Sequence, residues 1–242
     1  MGEKPGAVGK MSIIKTDKSI IPSCDVPDLE RLQKLVRETC SVDGIGAYKI
    51  GLELCLKYGI PKVVKAIRKH TKLPIIYDHQ KAGNDIPELG EKFAEAVKGV
   101  DAIILFPFAG LETEKEWIKA CKKAKLGIIV GGEMTHKGFL EEDNGFISNK
   151  ESLKIYEIAA ENGVKDFVVP GNKPEKIRLY RAFLEARGVK PVFYSPGLIA
   201  QGGSITESAK AAGKSWHAIV GRALYNAKDV NKAAKEMVKA LK

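Results

Sequence analysis

Short β-branched runs alternate with longer amphipathic stretches along nearly the whole chain. The runs fall at residues 19–24, 47–50, 74–78, 102–106, 127–131, 166–169, 191–194 and 218–220. Between them apolar residues recur at helical spacing over 28–38, 60–69, 87–98, 113–124, 152–162, 174–186 and 205–211, and a last such stretch spans 229–241. Continuously apolar strands separated by helices belong to a parallel sheet covered on both faces. Eight such units in 242 residues predict an α/β fold, a (β/α)8 TIM barrel, over an open doubly wound sheet. The helix-to-strand connections carry plain turn chemistry, as at Lys98-Gly99, Asn162-Gly163 and Arg187-Gly188. No linker interrupts the alternation, so residues 19–242 are expected to form one barrel domain. Residues 1–18, rich in Gly and Lys without an apolar core, are expected to be a mobile tail rather than a signal peptide.

Composition narrows the partners. No apolar run approaches the ~18 residues that span a bilayer, so a cytoplasmic protein without a membrane partner is expected. The formal charge is +10, but the 40 Lys and Arg are spread among apolar positions at helical spacing. That pattern makes basic solvent faces on helices, not a docking stripe, and no nucleic-acid-binding motif accompanies it. A basic protein also attracts small phosphorylated or carboxylated substrates, the partner class expected here. Cys24, Cys40, Cys55 and Cys121 lack C-x-x-C spacing, and the four histidines lack metal-ligand spacing, so no metal is expected.

Chemistry gathers where the barrel would open. The third strand empties into Asp78-His79-Gln80-Lys81-Ala82-Gly83-Asn84-Asp85-Ile86-Pro87. Acid, base and acid crowded at a strand end destabilise a fold unless they serve chemistry; the plain alternative is a solvated loop. Asp25, Lys49, Thr135, Gln201 and Arg222 also fall at or just beyond strand C-terminal ends, where barrels build active sites. Two late stretches have the make-up of anion cradles: Ser195-Pro196-Gly197 with Gln201-Gly202-Gly203-Ser204, and Gly221-Arg222. Glycines admit backbone N–H groups to a phosphate, and arginine adds a bidentate, charge-assisted grip. Each alone is an ordinary turn or helix start; together, after strands seven and eight, they point to phosphate.

These motifs, in this order, resemble the orotidine 5′-monophosphate decarboxylase family from about Ser19 to the C-terminus. The resemblance rests on Asp25, Tyr48-Lys49-Ile50-Gly51, the Asp78/Lys81/Asp85-Ile86-Pro87 loop, Glu133-Met134-Thr135-His136, the Ser195–Ser204 stretch and Ile219-Val220-Gly221-Arg222. It implies conversion of orotidine 5′-monophosphate to uridine 5′-monophosphate by a carboxy-lyase with neither metal nor organic cofactor. It also implies a homodimer in which Asp85 completes the neighbouring subunit's site. Lys49, Asp78, Lys81 and Asp85 would form the charged catalytic array. Asp25 and Lys49 would hold ribose hydroxyls, Thr135 the pyrimidine, and Gln201, Gly221 and Arg222 the phosphate, with Pro196 in the phosphate loop. The family's strand-three motif is D-x-K-x-x-D, whereas this chain has one extra residue on each side of Lys81. Leu89 stands where the family usually has a threonine that reaches a ribose hydroxyl. Two alternatives compete: a Mg²⁺-dependent sugar-phosphate decarboxylase or hexulose-phosphate synthase, and a non-catalytic nucleotide-binding barrel. Lys49 disfavours the first, because the metal-dependent relatives usually carry a glutamate there and an ammonium repels Mg²⁺.

Overall fold

The computed structural model describes residues 12–79 and 84–241. In chain order the elements are β1 (Lys18–Pro22), α1 (Leu29–Thr39), β2 (Tyr48–Ile50), α2 (Leu52–Tyr58), α3 (Ile60–Arg68) and β3 (Ile75–Asp78). There follow α4 (Gly90–Ala96), β4 (Ala102–Leu105), α5 (Leu111–Lys123), β5 (Gly127–Gly131), α6 (Asn149–Glu161) and β6 (Asp166–Val168). The chain ends with α7 (Pro174–Glu185), β7 (Val192–Ser195), α8 (Ile205–Ala212), β8 (Trp216–Val220), α9 (Arg222–Tyr225) and α10 (Val230–Lys239). All eight strands pair in parallel in the order β1-β8-β7-β6-β5-β4-β3-β2. The ring closes between β1 and β2 through the Ile20–Ile45 and Ser23–Lys49 bridges and a 2.8 Å bond from Cys24 N–H to the Lys49 carbonyl. The protein is a (β/α)8 barrel.

Strand residues alternate between two cores. Ile20, Tyr48, Ile50, Ile75, Tyr77, Ile103, Phe167 and Trp216 face outward into the helix layer. Ile21, Ile76, Ile104, Ile129, Val168, Tyr194 and Ile219 fill the interior. The interior set is branched or aromatic and packs as a solid plug, so no channel runs beneath the mouth.

The expected tail meets a correction at its end. Residues 1–11 lie outside the described residues, but Ile14 is buried in the barrel interior with Ile13 packed beside it. A Cβ on Gly46 would lie 2.8 Å from Ile14, and one on Gly127 would lie 2.7 Å from Ile13. The strand floor is thus shaped around this pair, which stoppers the barrel because two β-branched apolar residues gain more there than in water.

Candidate active site

Strand parity decides what faces the mouth. Tyr48 and Ile50 point outward, so Lys49 between them points inward; Asp78 shares the inward parity of Ile76. Lys49 Nζ lies 2.6 Å from Asp78 Oδ2 and 3.6 Å from Asp25 Oδ1, while its side chain is only 7% exposed. Asp25 is steadied by a 2.6 Å hydrogen bond from the Ser23 hydroxyl to its Oδ2. A Cβ on Gly51, directly after β2, would come 2.9 Å from Asp25 Oδ1, so a side chain there would push the carboxylate from this position. Burial works against the Lys49 ammonium, but Asp78 and Asp25 outweigh it and hold the pKa above its ordinary value. One ammonium between two carboxylates gives a fixed charged wall at the barrel mouth.

That wall borders a cavity of about 570 Å³. Of the residues expected at a site, Asp25, Lys49, Asp78, Thr135, Pro196, Gln201, Gly221 and Arg222 all line it. Asp85 does not; it is exposed on the rim, its Oδ1 accepting from Ile86 N–H at 2.7 Å. Lys81 lies outside the described residues.

The opposite wall is made by turns after β7 and β8. Gly197 and Gly202 both have φ of +88°, and Leu198 bridges to Gly203 across the turn. Gly203 has no room for a side chain: a Cβ would lie 2.7 Å from the Gly197 carbonyl. Ile199, at φ +59°, takes a left-handed conformation that is unusual for a β-branched residue and marks backbone strain at the loop tip. Arg222 opens α9 directly after Gly221, above the cavity.

A third group joins a residue of a quoted motif, Glu133, to partners that the sequence did not single out. Glu133 follows β5, its side chain fully buried, with Lys173 Nζ 2.7 Å from Oε1 and the Tyr180 hydroxyl donating to Oε2. Burial and the neighbouring Tyr156 and Glu133 push the Tyr180 phenol well above its ordinary pKa, so it remains a donor. Asn172 Nδ2 donates to the Thr135 carbonyl at 3.0 Å, and Gly171 N–H donates to the Pro196 carbonyl at 2.8 Å. Residues 171–173 therefore fasten the turn carrying Thr135 to the turn carrying Pro196. The available signal was position alone: Asn172-Lys173-Pro174 follows the sixth strand.

Comparison with known proteins gives the family. A model of the orotidine 5′-phosphate decarboxylase / HUMPS family matches residues 18–237. The chain belongs to this family. Among decarboxylase relatives, the orotidine 5′-phosphate decarboxylase of Pyrococcus furiosus is 36% identical over 228 residues, 92% of this chain and 97% of the relative. That of Methanocaldococcus jannaschii is 32% identical over 218 residues, 88% and 95% of the two chains. The crystal structure of the Methanocaldococcus jannaschii decarboxylase complexed with the inhibitor BMP superposes with a TM-score of 0.81 at 28% identity, covering 93% of this chain and 98% of that one. The Pyrococcus horikoshii decarboxylase gives 0.75 at 29%, over 92% and 98%. In this chain the carboxylates of Asp25 and Asp78 are already engaged by one cation, the Lys49 ammonium.

Proposed function

We propose that this chain is a carboxy-lyase converting orotidine 5′-monophosphate to uridine 5′-monophosphate in cytoplasmic de novo pyrimidine synthesis. The observation that carries the reading is Lys49 held between Asp25 and Asp78 at the mouth of a barrel whose far wall is the glycine–arginine cradle. The phosphate would lie on Gln201, Gly221 and Arg222, with Pro196 in the enclosing turn. Thr135 would meet the pyrimidine, and Asp25 with Lys49 the ribose hydroxyls. The bond from C6 to the carboxylate breaks, its electron pair stays on C6, and carbon dioxide leaves. An ammonium beside C6, assigned to Lys81, stabilises that carbanion and then transfers its proton to it. Asp78 would sit near the departing carboxylate while fixing Lys49. Remote phosphate binding adds to catalysis by holding the Ser195–Ser204 turn over the site and excluding water.

The working unit in this reading is a homodimer with shared sites. Asp85 is absent from the lining of its own chain's cavity and is exposed next to Ile86, itself 57% exposed, which suits a residue lent to a neighbour. Neither metal nor organic cofactor is required.

Single-turnover assay of orotidine 5′-monophosphate, with and without a chelator, tests the reading. Stoichiometric uridine 5′-monophosphate is expected under both conditions. Loss of turnover on chelation would favour the Mg²⁺-dependent branch, and binding without any turnover would favour a non-catalytic barrel.

A further inference from the structure

We infer that Thr113 and Trp117 on α5 are positioning residues that fix Asp85, an inference resting on the proposed role of Asp85 in the neighbouring site. Asp85 and Ile86 are both exposed, as expected of a segment in open solvent. Their backbone carbonyls are nevertheless both taken by side chains of one helix. The Thr113 hydroxyl donates to the Asp85 carbonyl at 2.9 Å, and the Trp117 indole N–H donates to the Ile86 carbonyl at 3.2 Å. Both donors are 4% exposed, and they stand four residues apart, so they share one face of the helix. Pro87 then fixes the next φ and opens the 3₁₀ turn Pro87–Leu89. The grip leaves Asp85 little freedom except at its own side chain.

Trp117 also reaches the other end of the loop. Its ring stacks on Phe93 at 4.9 Å, Phe93 meets His79 at 4.5 Å, and His79 meets Tyr77 at 5.2 Å. A Cβ on Gly90 would lie 3.1 Å from the Trp117 Cα, so α4 is seated directly on this ring. His79 and Ile86, which flank the part of the chain that differs from the family's spacing, are therefore tied to a single indole. This column lets a strand-three loop with two added residues still deliver Asp85 from a fixed point.

The test uses Thr113→Val, which removes the hydroxyl at constant shape, Thr113→Ser, which keeps it, and Trp117→Phe, which keeps a stacking ring without its N–H. The Thr113→Val/Trp117→Phe chain is expected to lose at least tenfold in kcat. Uridine 5′-monophosphate affinity should stay within about twofold, because the phosphate-site residues lie on other strands. Thr113→Ser should retain wild-type kcat. In an Asp85→Ala background the pair should cause no further loss, since positioning residues act only through what they position. Amide exchange over residues 84–89 should quicken at least tenfold in the double variant. Unchanged exchange, or an undiminished loss of kcat in the Asp85→Ala background, overturns the inference. Absent turnover by the wild-type chain would instead overturn the decarboxylase reading, and the exchange measurement would still decide the anchoring.

Discussion

Arg222 makes no salt bridge among the described residues, yet it stands at the cavity edge beside Gly221. A guanidinium so placed has spare donors for an anion. Arg222→Ala is expected to weaken uridine 5′-monophosphate binding by about 2 kcal/mol, the worth of a charge-assisted pair, while barely affecting uridine. Equal losses in titrations of the two would make Arg222 structural. Two other residues couple titration to stability. His217 is buried inside the barrel with Nδ1 2.8 Å from the Ser19 hydroxyl, and burial lowers its pKa to about 4. Between pH 6.5 and about 4 the unfolded chain takes a proton that the folded one refuses, so acid destabilises through this residue. Glu114 runs the opposite way. Its Oε1 is buried without a partner, and burial raises its pKa to about 8. Its contribution is full below pH 4.5 and is lost as the pH rises to about 8. Glu114→Gln should therefore match the parent in urea unfolding near pH 4.5 and exceed it at pH 8 by something on the order of 3 kcal/mol. A constant difference between the two would show that Glu114 does not titrate as its burial requires.

At the scale of elements, the strands were the legible part, because strands buried on both faces are apolar throughout and stand out from amphipathic helices. The errors lie where distant residues set the boundary. β8 starts at Trp216 rather than Ala218, since Trp216 N–H bonds the Asp17 carbonyl at 2.8 Å from a segment that sequence pattern treats as tail. α2, Leu52–Tyr58, is too short to show a period. The expected 87–98 helix is split: Pro87–Leu89 forms a 3₁₀ turn, and α4 begins only at Gly90, which is pressed against Trp117. Strand ends likewise exposed Lys49, Asp78 and the glycine–arginine turns that line the cavity, whereas Glu133 and Lys173 are joined over 40 residues by folding alone. Their bond invites a direct measurement. Lys173→Met leaves a buried carboxylate without its cation and is expected to destabilise by about 3–5 kcal/mol. Adding Glu133→Gln removes the stranded charge and should recover most of that loss. Additive destabilisation in denaturant melts would show that the two residues do not act as a pair.

At the scale of the molecule, the barrel assembles nearly all the expected site residues around one cavity and leaves Asp85 on the rim. If a neighbour's Asp85 fills the gap, neither Lys81→Ala nor Asp85→Ala homodimers contain an intact site, because each lacks one member everywhere. A mixed dimer is different. The site in its Asp85→Ala subunit keeps its own Lys81 and receives Asp85 from the Lys81→Ala partner, while the other site loses both. Random exchange puts half of the molecules in mixed dimers, so about a quarter of all sites should be restored. Activity should rise from near zero toward that fraction as exchange proceeds, and mass spectrometry of differently tagged subunits follows the exchange itself. Mixed dimers formed without recovered turnover would place Asp85 outside its neighbour's chemistry, and the exposed Ile86 beside it would then need another explanation.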